Sequence, residues 1–336
     1  MSTHKLENIS ISEDQYQLDQ KYRPKTIDEI ILPTEFKKTF KNYIKSGHCP
    51  HLLLFSSEPG TGKTTTARAI VHDLGLNPET DYLFLRGDDV NISFVKNELF
   101  NFCINASPSG RKRVVIIDEY DRPTLGEAHK AMRGIVDDYS DTVTFIITAN
   151  DPQNIHEALR NRMHAFNFGL INEDDGNEMK KAFKERMLKI CELENIKVED
   201  ERIINYIIGK HFPFFRTCLT DLSKYAFAND FVLDSGYLAS VLKRERSTKD
   251  TVDALRADKI DRDLLLAIAK INSYNANQFI NSLYVDISSK VDDVSHDNLI
   301  KIIGEMNKTW GMATNKDIHL FYMLYQIAST MKWKNT

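Results

Sequence analysis

The chain has 336 residues, 27% of them charged and 42% hydrophobic, a globular balance that excludes a mainly disordered protein. Forty-four Lys and Arg against 48 Asp and Glu leave a net charge of −4, which excludes a surface coated in basic residues but permits a local basic stripe. Apolar runs such as Val114–Ile117 and Phe145–Ile147 fall far short of the ~20 residues that span a bilayer, so no membrane partner is expected.

The N-terminal MSTHKLENISISEDQYQ lacks an apolar stretch and carries acidic residues, unlike a secretory signal. Residues 1–18 are polar and aperiodic and read as a flexible leader. Over 19–169, β-rich runs alternate with helical patterns. HLLLF (51–55), YLFL (82–85), RVVIIDE (113–119) and VTFIITA (143–149) are strands; Lys63–Leu74, Ser93–Asn105 and Leu125–Tyr139 are helices. Strands that are apolar throughout are buried on both faces, which predicts a parallel sheet covered by helices. Beyond residue 169 the pattern turns helical with no convincing strand, giving a small helical unit over 170–232 and a longer one over 233–336. Cys49, Cys103, Cys191 and Cys218 are widely spaced and form no CxxC pair. They read as core residues of a protein in a reducing, intracellular compartment.

Chemistry concentrates where strands end. SSEPGTGKTT (56–65) follows a strand and opens a helix. Gly60 and Gly62 let the backbone wrap so that its N–H groups, with those of Thr61 and Thr65, face a triphosphate. Lys63 reaches the β- and γ-phosphates, and the Thr64 hydroxyl binds Mg²⁺. The pattern departs from the usual phosphate loop in having Ser57 for its first glycine. IIDEYD (116–121) places Asp118 at a strand end, where it holds Mg²⁺ through water. Glu119 beside it polarises the attacking water. An acidic pair capping a strand is commonplace alone, and gains meaning from the glycine loop. A further strand ends at Asn150, placed to sense the γ-phosphate.

In family order these segments resemble AAA+ ATPases, and within them the clamp loaders, most closely those of tailed bacteriophages. LDQKYRP (18–24), LGEAHKAMRG (125–134), LRNRMHAF (159–166) and FPFFRTCL (212–219) are similar to that family's remaining signatures. The resemblance implies an α/β, AAA+ P-loop parallel-sheet domain, a helical lid and a C-terminal all-α collar. It implies that Asp19, Gln20, Lys21 and Tyr22, with Ile31, form the adenine pocket. Arg216 would reach the phosphates from the lid, and Arg162 would act on the ATP of a neighbouring copy. Two positions depart from the family pattern: Arg162 sits in NRM rather than SRC, and Gly134 replaces a second arginine.

The implied partners are a sliding clamp, a small non-catalytic loader subunit, further copies of the chain and primer–template DNA, in the cytoplasm of an infected host. DNA contacts would come from helix starts near Ser93 and after Asp121, directed at phosphates rather than bases. Lys96, Arg122 and the RKR run (111–113) are the nearest basic residues. Asn91 is the candidate switch, its amide donating to the Glu119 carboxylate until DNA arrives. The implied function is DNA-stimulated ATP hydrolysis that opens a clamp and leaves it on DNA. The alternative is a protein-remodelling AAA+ ATPase or helicase loader. A remodelling ATPase needs an aromatic pore loop, and VNISF after β-strand YLFL is a poor one. A small-molecule kinase or a non-enzymatic scaffold fits less well again.

Overall fold

Apolar runs of four to seven residues build the sheet on which the first half of the chain is organised. A computed structural model describes residues 9–334, apart from 106, 108–109, 122–125, 170, 237–246 and 258. Five strands, β1 (Leu52–Phe55), β2 (Tyr82–Arg86), β3 (Arg113–Asp118), β4 (Val143–Ala149) and β5 (His164–Asn167), lie in the order β2-β3-β4-β1-β5. All neighbouring pairs are parallel.

Side-chain alternation divides the sheet's residues between two cores. Leu53, Val115, Ile117, Phe145 and Ile147 pack with Val95, Leu99, Met132 and Val136 on one face. Leu52, Leu54, Val114, Ile116 and Ile146 pack with Phe40, Ala67 and Ile70 on the other. Each fully buried side chain of this size stabilises by about 1.5–3 kcal/mol, more than a typical exposed ion pair returns. All seven residues of β4 are buried, which accounts for its mostly apolar sequence; the two threonines donate their hydroxyls, Thr144 to Cys49 O and Thr148 to Asp118.

The connecting helices are α1 (Leu18–Lys21), α2 (Thr34–Ser46), α3 (Lys63–Asp73), α4 (Ile92–Phe94), α5 (Phe100–Ile104), α6 (Gly126–Asp138) and α7 (Glu157–Arg160). The single helix expected over Ser93–Asn105 is interrupted by a π turn at Val95–Leu99. Val95, Leu99 and Cys103 are all buried and lie four residues apart. That spacing drifts about 40° per step on an α-helix, and the wider turn offsets the drift. β5 has no counterpart among the four predicted strands. HAFN is a short, half-exposed edge strand without β-branched residues, so neither periodicity nor composition marks it.

The lid comprises α8 (Glu173–Leu193), α9 (Arg202–His211) and α10 (Phe215–Ala228). Asn172 caps α8 by accepting the Asp175 N–H at 2.8 Å, and Glu173, Asp174 and Asp175 complement the helix dipole. The expectation of no strand beyond residue 169 is corrected by β6 (Lys197–Val198) and β7 (Val232–Leu233), which pair in parallel. Two residues are too few to show a period. The leader is also less loose than expected. Ser10 donates to the Glu29 carboxylate through its N–H (3.0 Å) and hydroxyl (2.7 Å), and Ser12 N–H reaches Lys21 O at 2.9 Å.

A second compact unit, Gly236–Thr336, follows the first, which ends at Ser235. Its described helices are Ser247–Arg256, Arg262–Asn272, Ala276–Ser288, Asp293–Thr309 and Lys316–Thr330. Leu265, Leu283, Ile287, Leu299, Leu320 and Leu324 form its core. Among the described residues no helix is long and apolar enough to cross a membrane. All four cysteines are buried free thiols, and burial pushes each up to about 12.

Candidate active site

The C-terminal ends of β1, β3 and β4 open into one cavity, closed on its other side by α8 and α10. Between β1 and α3 the chain turns through Gly60 (φ 90°) and Gly62 (φ 99°), a left-handed backbone that glycine adopts without Cβ strain. A Cβ on Gly60 would stand 3.5 Å from the Arg216 Cβ, so the start of α10 lies directly against this loop.

Lys63 is 7% exposed, and its ammonium donates to Ser56 Oγ (2.8 Å), Glu58 O (3.1 Å) and Asn150 Oδ1 (3.0 Å). Burial lowers its pKa, while Asp121, Asp118 and Glu119 oppose that shift. Thr64 Oγ1 donates to Asp118 Oδ1 at 2.6 Å, and Thr148 Oγ1 donates to the same oxygen at 2.6 Å. Glu119 follows with φ 57°, a left-handed conformation that costs a non-glycine residue about 1–2 kcal/mol. Its N–H is held by Thr148 Oγ1 at 2.9 Å, and the next N–H, of Tyr120, by Thr148 O at 3.0 Å. Gly87, just past β2, touches this backbone: a Cβ there would lie 2.2 Å from Glu119 O. Asp121 Oδ2 then fixes the far side, accepting the N–H groups of Asn150 (2.8 Å) and Asp151 (2.7 Å).

Of the residues expected at the site, Asp19, Gln20, Tyr22, Ile31, Gly60, Gly62, Lys63, Thr64, Thr65, Glu119, Asn150 and Arg216 surround the cavity. Arg216 Nε lies 3.6 Å from Asp19 Oδ2. Three others stand behind it. Thr61 is buried with Oγ1 at 2.9 Å from Ser56 Oγ, and Asp118 is screened by Thr64. Lys21 does not line the cavity, because its ammonium pairs with Glu194 of the lid at 2.6 Å. Arg162 stands away from it, forming a two-pronged pair with Asp137 (Nη2 to Oδ2, 2.9 Å) and donating to Ala158 O.

The expected switch residue has a different visible task. Asn91 Oδ1 accepts the Phe94 N–H at 3.0 Å and caps α4, leaving Nδ2 as the only donor that side chain has for Glu119. Ser93 Oγ accepts from Asn97 at 3.4 Å, Lys96 lies in the π turn, and Arg122 falls outside the described residues. Two arginines of the RKR run are structural. Arg111 donates to Leu74 O (2.7 Å) and Gly75 O (2.9 Å) at the end of α3, and Arg113 holds Phe102 O at 2.7 Å.

Sequence reasoning missed Arg23, Thr148, Asp121 and the lid residues Phe183, Arg186 and Phe215. Arg23 lines the cavity and donates through Nε to Thr65 Oγ1 at 3.0 Å; its signal was present in KYRP. Thr148 and Asp121 lie inside TAN and IIDEYD, where the chemistry that the spacing reveals belongs to Asn150, Asp118 and Glu119. The lid residues carry no local pattern.

Family models match three successive stretches. The model for ATPases associated with various cellular activities (AAA) covers residues 53–169. The lid domain of the sliding-clamp-loader large subunit matches residues 175–239, and its C-terminal domain matches 275–332. The chain is 36% identical over 326 residues to the sliding-clamp-loader large subunit of Enterobacteria phage T4, covering 97% of this chain and 100% of that one. The Escherichia phage RB69 large subunit gives 36% over 327 residues, with 97% and 100% covered. A replication factor C small subunit of Archaeoglobus fulgidus gives 29% over 322 residues, with 93% and 97% covered.

Proposed function

The chain belongs to the sliding-clamp-loader large-subunit family, and from that premise we propose how its residues divide the work of the ATPase. It is an AAA+ ATPase with the role of a sliding-clamp loader in replication, in a family that works with a clamp, other loader subunits and DNA. The observation that carries the assignment is the convergence of Lys63, Glu119, Asn150 and Arg216 on one cavity.

ATP binds with its phosphates on the backbone N–H groups of Gly60–Thr65 and its base toward Asp19, Gln20, Tyr22 and Ile31. Lys21 supports the base side from behind, through Glu194. Lys63 turns from its present partners, the Ser56 hydroxyl and the Glu58 and Asn150 oxygens, to the β- and γ-phosphates. Glu119 takes a proton from the attacking water, which Asn150 orients, and Arg216 adds positive charge from the lid. Thr64 Oγ1 and Asp118 Oδ1, two hard oxygen donors 2.6 Å apart, suit Mg²⁺ and would hold it. Such an ion supplies charge neutralisation to the phosphates. Arg162, away from its own chain's cavity, serves the site of a neighbouring copy. The working units are 19–169 for ATPase chemistry, 170–232 for the lid and 233–336 for assembly.

ATP binding opens the clamp, and primer–template DNA triggers the hydrolysis that closes it. The assembly joins several copies to one small non-catalytic subunit in the cytoplasm of the infected cell. The test is steady-state ATP turnover of the assembled loader, measured with and without clamp and primer–template DNA. Turnover should rise when both are present. A rate indifferent to both would overturn the loader assignment while leaving the ATPase intact.

A further inference from the structure

Arg186 lies in the middle of α8 and is 3% exposed. Its Nη1 donates to Glu29 O at 3.1 Å and its Nη2 to Tyr22 O at 2.9 Å. Both residues, and Arg186 itself, line the cavity, as do the apolar Ile31, Phe183 and Phe215. Burial is the main influence on this guanidinium and lowers its pKa. Placing a charge there is costly unless its donors are used, and here they are used on main-chain carbonyls.

The same stretch of main chain is gripped from a second direction. Lys37 of α2 donates to Asp28 O (2.7 Å) and Ile30 O (3.1 Å). Three successive carbonyls, those of Asp28, Glu29 and Ile30, are therefore each fixed by a cationic side chain. Peptide planes pinned in sequence cannot rotate, so the wall formed by Ile30 and Ile31 is set before any ligand arrives. Lys37 holds that wall from the sheet domain, and Arg186 holds it from the lid.

We propose that Arg186 is a positioning residue for the nucleotide base: it makes the shape of the base end depend on the docking of the lid helix. The proposal rests on reading the cavity as the nucleotide site. It separates by task the two lid arginines that line the cavity, Arg216 facing the phosphates and Arg186 shaping the base wall.

The test uses the full-length chain and calorimetry with two probes, MgATP and inorganic tripolyphosphate, the second having no base. Arg186→Met keeps length and packing but donates nothing, leaving two carbonyls unpaired. Arg186→Lys keeps one charge with a single-point donor. Arg186→Met should weaken ATP by about tenfold or more, since unpaired buried carbonyls are penalised, and leave tripolyphosphate within about twofold. The loss should appear in KM more than in kcat, and Arg186→Lys should fall between wild type and Arg186→Met. Equal weakening of both probes, or no weakening of either, overturns the proposal. Should Arg186→Met fail to fold, Arg186→Lys decides: selective loss of ATP supports the role, and an unchanged ratio of the two affinities overturns it. Wild type that binds tripolyphosphate but not ATP would overturn the nucleotide reading itself, and would do so before any substitution is made.

Discussion

Thr148 holds Glu119 by its backbone: the Glu119 N–H donates to Thr148 Oγ1 at 2.9 Å, and that hydroxyl in turn donates a hydrogen bond to Asp118 Oδ1 at 2.6 Å. One side chain thus sets both acidic residues of the β3 end. Thr148→Val keeps the shape and removes the hydroxyl. Turnover should fall by about 10–100-fold through misplacement of Glu119, with ATP affinity changed far less. Single-turnover kinetics beside nucleotide binding would check this, and unchanged turnover would remove Thr148 from the machinery.

Action of Arg162 across subunits is tested by mixing. Glu119→Gln should bind ATP and lose about 10²–10⁴ in rate. Arg162→Ala should bind ATP normally in its own cavity, which Arg162 does not line. Assemblies containing both variants should regain hydrolysis, because an intact Arg162 then meets an intact Glu119 at some interfaces. Fingers of this kind are worth roughly 10³–10⁵ in rate, so rescue stands well above background. Mixed assemblies that stay dead would show that Arg162 acts within its own chain or only holds Asp137.

Asn91 serves the helix start through its oxygen, so Asn91→Ala would lose a cap as well as any switch, at a cost of about 1 kcal/mol. Asn91→Asp retains the capping oxygen and removes the amide donor. If the amide restrains Glu119, hydrolysis without DNA should rise in Asn91→Asp and the stimulation by DNA should shrink. The DNA-stimulated rate itself should stay similar. A basal rate equal to wild type would assign Asn91 to capping alone.

Stability should depend on His51. Its Nδ1 accepts the Phe145 N–H at 3.0 Å, and burial, aided by nearby Lys112, lowers its pKa from 6.5 to about 4. The unfolded chain therefore takes up this proton first. The contribution is fully present above pH 6.5 and is lost as the pH falls toward 4. His51→Gln keeps an acceptor without the titration. Its Tm should decline less steeply than that of wild type between neutral pH and pH 5, as followed by circular dichroism. Parallel declines would mean that other groups govern the acid limb.

What the sequence made legible was contiguous. GTGKT, DEYD and TAN each state their chemistry within a few residues, and the four apolar strands state the sheet. The contacts that complete the site were not legible because they end on main-chain atoms. Arg186 binds the carbonyls of Tyr22 and Glu29, more than 150 residues earlier, and a carbonyl is the same in every residue. Arg111 and Arg113 show the converse. A basic triplet suggests DNA, yet two of its members tie down the end of α3 and the main chain of α5. Charge in a sequence reveals sign but not whether solvent or backbone receives it.

Gly87 gives the β2 exit a property that no side-chain contact could. An added Cβ would fall 2.2 Å from Glu119 O, so the two stretches of main chain meet with no side chain between them to bend or change rotamer. A contact of that kind works as a rigid strut. Short displacements of the segment leading from β2 into α4 must be passed on to the Glu119 backbone, at a site already held in a left-handed turn. Signals from the α4 end would then travel to Glu119 as movement, whatever residue occupies position 91. The same geometry makes position 87 a fixed point for redesign, because any side chain longer than hydrogen would reset the acidic loop before it touched a nucleotide.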